Sequence, residues 1–167
     1  MSDVRPTTLP HGPVQLRDVP SGAGPIVAEI LQELPTWFGI AASVANYVAV
    51  ADRSATTVAS LAGKDVGVLT LVSHSRYAAE VFVMAVLPEH HRQGIGRAML
   101  ERAEATLGRA GVEFLQVKTL AASRPDEGYA RTRAFYLDYG FRPLEEFPDL
   151  WDADNPALQM VKVVPAP

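Results

Sequence analysis

Residues 81–87 read Val-Phe-Val-Met-Ala-Val-Leu, an apolar run rich in β-branched residues that stops at Pro88. Past a polar stretch, Ile95, Met99, Leu100, Ala103 and Leu107 recur at helical spacing. The hydrophobic period therefore switches across residues 88–94 from that of a buried strand to that of a helix, with Gly94 and Gly96 at the switch. This is the tightest constraint in the chain: a strand must pass through a short glycine-rich turn directly into a helix. Such a turn aims backbone N–H groups and the positive end of the helix dipole at one spot, and glycine lets an anion approach the backbone. The ligand it predicts is a phosphate group.

Three glycine patterns compete for this stretch. A P-loop needs Gly-Lys followed by Ser or Thr, whereas Gly63-Lys64 is followed by Asp65. A dinucleotide fingerprint needs a third glycine where Met99 stands, and an acidic residue about 20 positions on that ends a second strand, which is also missing. The pattern that fits is [QR]-x-x-G-x-[GA], and from its strand through its helix the stretch resembles the GNAT superfamily of N-acetyltransferases. Its first position is His91 rather than Gln or Arg, which leaves a backbone cradle intact. Residues 129–141 resemble the fourth helix of the same family, which ends in Y-x-x-x-G-F, with Tyr136 at the tyrosine position.

Taken in order, the chain reads as a loose arm over residues 1–12 and one domain over 13–164. A short strand at 14–17 precedes a helix with Ser21 as a plausible cap, Pro25 in its first turn and Pro35 at its end. A second helix follows over 40–50, then strands at 56–61 and 66–72 joined by a hairpin turn at 62–65. The central strand covers 79–87 and the third helix 95–110, with Gly111 placed to end it. A strand at 114–119 should lie parallel to the central one by a right-handed crossover. A helix over 127–139 and strands at 142–147 and 157–163 complete a β-α-α-β-β-β-α-β-α-β-β order. The class is α/β, a mixed and mostly antiparallel central sheet flanked by four helices, and the GNAT resemblance implies the same order.

Composition narrows the chemistry. A chain of 167 residues falls within the usual range of about 100 to 200 residues per domain. Without cysteine there is no disulfide, thiolate metal site or cysteine acyl-enzyme. No run reaches the roughly 18 apolar residues of a membrane span, and no basic and apolar leader opens the chain, so a cytoplasmic protein is expected. A net charge of −4 with dispersed Lys and Arg argues against a nucleic-acid surface. The pair His90-His91 with Glu89 could suggest a metal, but adjacent residues rarely converge on one ion and no further ligand stands at a useful spacing, so none is expected. Ser73 and His74 lack the G-x-S-x-G elbow of a hydrolase.

The resemblance implies acetyl-CoA as co-substrate and direct transfer to an amine of a small molecule or peptide, and it admits a homodimer. It implies pyrophosphate at the turn, on backbone groups of Gln93, Gly94, Ile95, Gly96, Arg97 and Ala98; Arg92, Gln93 and Arg97 flank the turn and could add side-chain contacts. It implies pantetheine pairing along the backbone of Met84, Ala85 and Val86, where the strand parts from its neighbour. Tyr136 would protonate the departing thiolate; on its residues alone it reads equally as a core aromatic. Glu80 opens the central strand after a loop, a partly buried setting that suits a general base, against a plain strand-end glutamate facing solvent. Trp37 and Phe38, in the link between the first two helices, would wall the acceptor pocket or join the core. Five acids within 145–154 could attract a cationic amine or form a solvated loop. The alternative function is a non-catalytic acyl-CoA sensor on the same scaffold.

Overall fold

The computed structural model describes residues 12–167, so the expected arm lies outside the described residues except for Gly12. The elements are β1 (Gln15–Val19), α1 (Gly24–Gln32), α2 (Ala41–Arg53), β2 (Thr56–Leu61), β3 (Lys64–Ser73), β4 (Ala78–Val86), α3 (Ile95–Arg109), β5 (Phe114–Leu120), α4 (Glu127–Tyr139), β6 (Arg142–Asp152) and β7 (Asn155–Val163). The strands form one sheet in the order β1-β2-β3-β4-β5-β7-β6. It is mostly antiparallel, with β4 and β5 parallel. This is the α/β class and the element order that the sequence predicts. By contacts the chain divides into two compact units, one reaching to Thr70 and including Val83–Glu101, the other Leu71–Phe82 with Arg102–Pro167.

In the first unit the core gathers Val27, Leu31, Val58, Val68, Leu69, Ile95, Met99 and Leu100, each essentially without exposure. Full burial of such a side chain contributes about 1.5–3 kcal/mol, so Ile95, Met99 and Leu100 fix the start of α3 firmly. Ala23, not Ser21, caps α1, without any side-chain bond, and the helix ends at Gln32, short of Pro35. The strand β3 starts two residues earlier than expected. Ala62 and Gly63 both take positive φ, 48° and 80°, and so close a two-residue hairpin with Leu61 opposite Lys64. Gly67 of β3 faces the end of β4: a Cβ there would meet the Ala85 carbonyl oxygen at 3.2 Å, Met99 Cε at 3.3 Å and Val86 Cγ2 at 3.3 Å.

In the second unit β5 alternates, with Leu115, Val117 and Thr119 buried and Gln116 and Lys118 half-buried on the other face. The helix α4 starts on an Asp126 cap that accepts from the Tyr129 N–H at 2.9 Å and closes at Gly140, with Phe141 packed fully inside. Glu104 accepts from the Tyr139 hydroxyl at 2.7 Å and from Lys162. The strand β6 runs to Asp152 instead of stopping at Phe147, and β7 begins at Asn155. Most of the acidic run is thus an exposed strand, not a loop. The strand extends because Asp152 builds the turn, accepting from the Asp154 N–H and the Asn155 amide at 2.9 Å. Alternation could not reveal a strand exposed on both faces.

Candidate functional site

After β4, the Leu87 N–H donates to Val66 O at 2.8 Å, and a 3-10 turn over Pro88–His90 leads to the glycines. Arg92 and Gly94 both adopt left-handed backbone, at φ 62° and 82°. The Gly94 carbonyl accepts the Ala98 N–H at 3.0 Å, which makes Gly94 the helix cap. The N–H groups of Ile95, Gly96 and Arg97 then belong to a first turn that has no intrahelical acceptors for them. Left-handed residues alternating with others fold such N–H groups into an anion-binding concavity. The cradle is open, since a Cβ on Gly94 would meet no heavy atom within 4 Å; only the φ angle demands glycine there. These features fit a phosphate group.

Side chains around the turn serve mainly to shape it. Gln93 donates from Nε2 to the Glu89 carbonyl at 3.0 Å, while Arg92 and Arg97 are exposed. His91 donates from Nε2 to the Val86 carbonyl at 2.6 Å. That carbonyl was expected to be free for pantetheine; the imidazole at the first motif position occupies it. The Trp37 ring meets His91 edge-on at 5.6 Å, and Phe38 meets Tyr47 edge-on at 5.8 Å, both half-buried. The parallel ladder of β4 with β5 covers Ala78–Val81 against Phe114–Val117, and Met84, Ala85 and Val86 lie beyond its last rung.

Glu80 is only 5 % exposed and far from a bare carboxylate. Its Oε2 accepts from Lys118 Nζ at 2.9 Å and also from His74 Nε2. Register explains the first contact: Glu80 stands opposite Gln116, and Lys118 follows two residues later on the same face. The hairpin explains the second, because the His74 N–H bonds Ala78 O at 2.9 Å and folds the residue back beside the strand. Sequence reading passed over both partners. The available signal was a central strand whose non-buried positions, Gln116 and Lys118, are polar, facing a buried acid.

Tyr136 is 5 % exposed, with Phe135 at 5.4 Å and Phe141 at 5.3 Å edge-on. Burial pushes its phenol well above the ordinary tyrosine range, so the group keeps its proton at neutral pH. Among the described residues no three or more His, Cys, Asp or Glu gather as a metal site, and no helix is long and apolar enough to cross a membrane.

A family model described as an acetyltransferase (GNAT) domain matches residues 47–143. The chain belongs to this family. It is 38% identical over 63 residues to an uncharacterized N-acetyltransferase of Chlorobaculum tepidum, a match covering 38% of this chain and 41% of the relative, less than half its length. Two solved structures share the fold at low identity. The ribosomal-protein-S18-alanine N-acetyltransferase of Escherichia coli superposes with a TM-score of 0.72 at 21% identity, over 92% of this chain and 96% of that one. A GNAT family acetyltransferase of Elizabethkingia anophelis with acetyl-CoA bound gives 0.69 at 15% identity, over 90% and 97%.

Proposed function

We propose that this chain is a cytoplasmic enzyme that moves acetyl from acetyl-CoA directly to a primary amine of a small molecule or protein, with residues 13–164 acting as one domain. The observation that carries the reading is the open turn capped by Gly94, in a chain of this family. Backbone N–H groups over residues 93–97 hold the pyrophosphate, where helix dipole and anion attract, and Arg92 and Arg97 add charge; the Ala98 N–H, expected to join them, is taken by the Gly94 carbonyl. Met84 and Ala85 pair with the pantetheine arm as an added strand would; Val86 contributes less because His91 holds its carbonyl. Trp37 and Phe38 wall the acceptor. Glu80 takes a proton from the amine, whose nitrogen attacks the thioester carbon; the C–S bond breaks, and Tyr136 returns a proton to the sulfur.

The test is thermal stabilisation by acetyl-CoA together with CoA release against a panel of spermidine, an aminoglycoside and a peptide with a free N-terminus. Ligand at about 100 times Kd should stabilise the wild type by about 2.7 kcal/mol. Gly94→Val should fold and lose this stabilisation, because a β-branched residue cannot hold φ 82° without strain. Undiminished stabilisation would remove the site. Stabilisation without CoA release from any amine would favour the acyl-CoA sensor.

A further inference from the structure

The two bonds on Glu80 fall on the same atom. Lys118 Nζ and His74 Nε2 both donate to Oε2, from two different elements, β5 and the hairpin after β3. We infer that His74 and Lys118 are positioning residues that hold one carboxylate oxygen so that the other, Oε1, is presented as the proton acceptor. The inference rests on Glu80 being the base of the acetyl transfer proposed above.

A glutamate carboxylate turns readily about its last torsion, which is broad and two-fold. Both of its oxygens are equally basic until donors distinguish them. Two donors converging on Oε2 stop that rotation and leave Oε1 as the oxygen with lone pairs to give. The charge-assisted bond from Lys118 is of the stronger kind. The backbone of each donor is placed by the fold: Lys118 by the β4–β5 register, His74 by its bond to Ala78. In the transfer step the amine gives its proton to Oε1, the nitrogen–carbon bond forms as the carbon–sulfur bond breaks, and the Oε2 contacts persist throughout. His74 and Lys118 exchange no proton with the acceptor.

The experiment compares His74→Phe, Lys118→Met and Glu80→Gln with the wild type, using acetyl-CoA and whichever panel amine releases CoA. His74→Phe and Lys118→Met should each lower kcat by about 10- to 100-fold, the scale of a misplaced catalytic group, with KM for acetyl-CoA unchanged. His74→Gln and Lys118→Arg, which retain a donor, should recover much of the rate. Independently of turnover, the His74 Nε2 nitrogen, followed by 15N NMR and assigned with His74→Phe, should shift in Glu80→Gln. Wild-type kcat in His74→Phe and Lys118→Met, alongside a slow Glu80→Gln, would overturn the positioning role alone. Wild-type kcat in Glu80→Gln would overturn the base itself. An unchanged His74 Nε2 resonance in Glu80→Gln would overturn the bond to Oε2, whatever the acceptor.

Discussion

The glycine turn and the Glu80 cluster are two polar sites built in opposite ways. The turn is backbone: its donors are peptide N–H groups, its shape comes from φ at Arg92 and Gly94, and its one side-chain departure, His91, leaves the cradle standing. The cluster is side chain: three residues from β4, β5 and a hairpin meet on one carboxylate. A backbone site should depend on conformation and tolerate changes of side chain. A side-chain site should depend on chemical identity and tolerate little.

Glu80→Gln should have the largest effect on that contrast. It keeps the shape and removes the charge, so turnover at neutral pH should drop by about 10² to 10⁴, recovering in part as pH rises and free amine accumulates. A wild-type pH–rate profile on the true acceptor would show that the cluster is structural and the comparison false.

Tyr136→Phe comes next. It preserves the ring packing against Phe135 and Phe141. Turnover should fall by about 10²-fold with little change in acetyl-CoA affinity, as expected of a group acting only in the transition state. The same substitution carries a stability signature. Burial holds the folded phenol above its unfolded value, so the native state keeps the proton that the unfolded chain releases. Stability is then full below the usual tyrosine range and declines as pH rises beyond about 10. The phenylalanine variant should lose less Tm than the wild type between pH 8 and pH 10.5. Equal turnover would return Tyr136 to the core with no further role, and equal alkaline loss would show that burial does not hold its proton.

The smallest effect calibrates the others. Arg17 grips Asp65 with two bonds of 2.7 Å, a side-chain cluster like that of Glu80 but exposed. The Arg17 hydrogen bond holds the Asp65 carboxyl below its ordinary range, so its stabilisation is present above that range and lost as pH falls below it, through the lowered folded value. Arg17→Met should cost less than about 1 kcal/mol at pH 7, and the difference should vanish near pH 2 when followed by thermal unfolding. A cost well above about 1 kcal/mol would show that exposure does not weaken this pair, and that burial is not what distinguishes the Glu80 cluster.

The same division explains what could be read from the chain. The strand, turn and helix over residues 79–110 were legible because period, proline and glycine are local signals, and the order of elements followed from them. Glu80 and Tyr136 were legible as candidates, one by its place at the head of an apolar run, the other by resemblance. His74 and Lys118 were not, since only a hairpin and a strand register bring them to Glu80 across 6 and 38 positions. His91 stands out in the motif as a departure, yet its bond to Val86 depends on a loop geometry that no spacing encodes. The full length of β6 escaped because its residues are exposed on both faces.

Gly67 has a bearing on how this protein would look in a mutational scan. It touches no ligand in the proposed chemistry, yet an added methyl would press on the Ala85 carbonyl, the Val86 side chain and Met99 of α3 together. Those are the strand that would carry pantetheine and the helix whose first turn would carry pyrophosphate. Substitutions at Gly67 should therefore score like active-site lesions, and a map of intolerant positions would mark β3 as functional where the constraint is only the thickness of one strand.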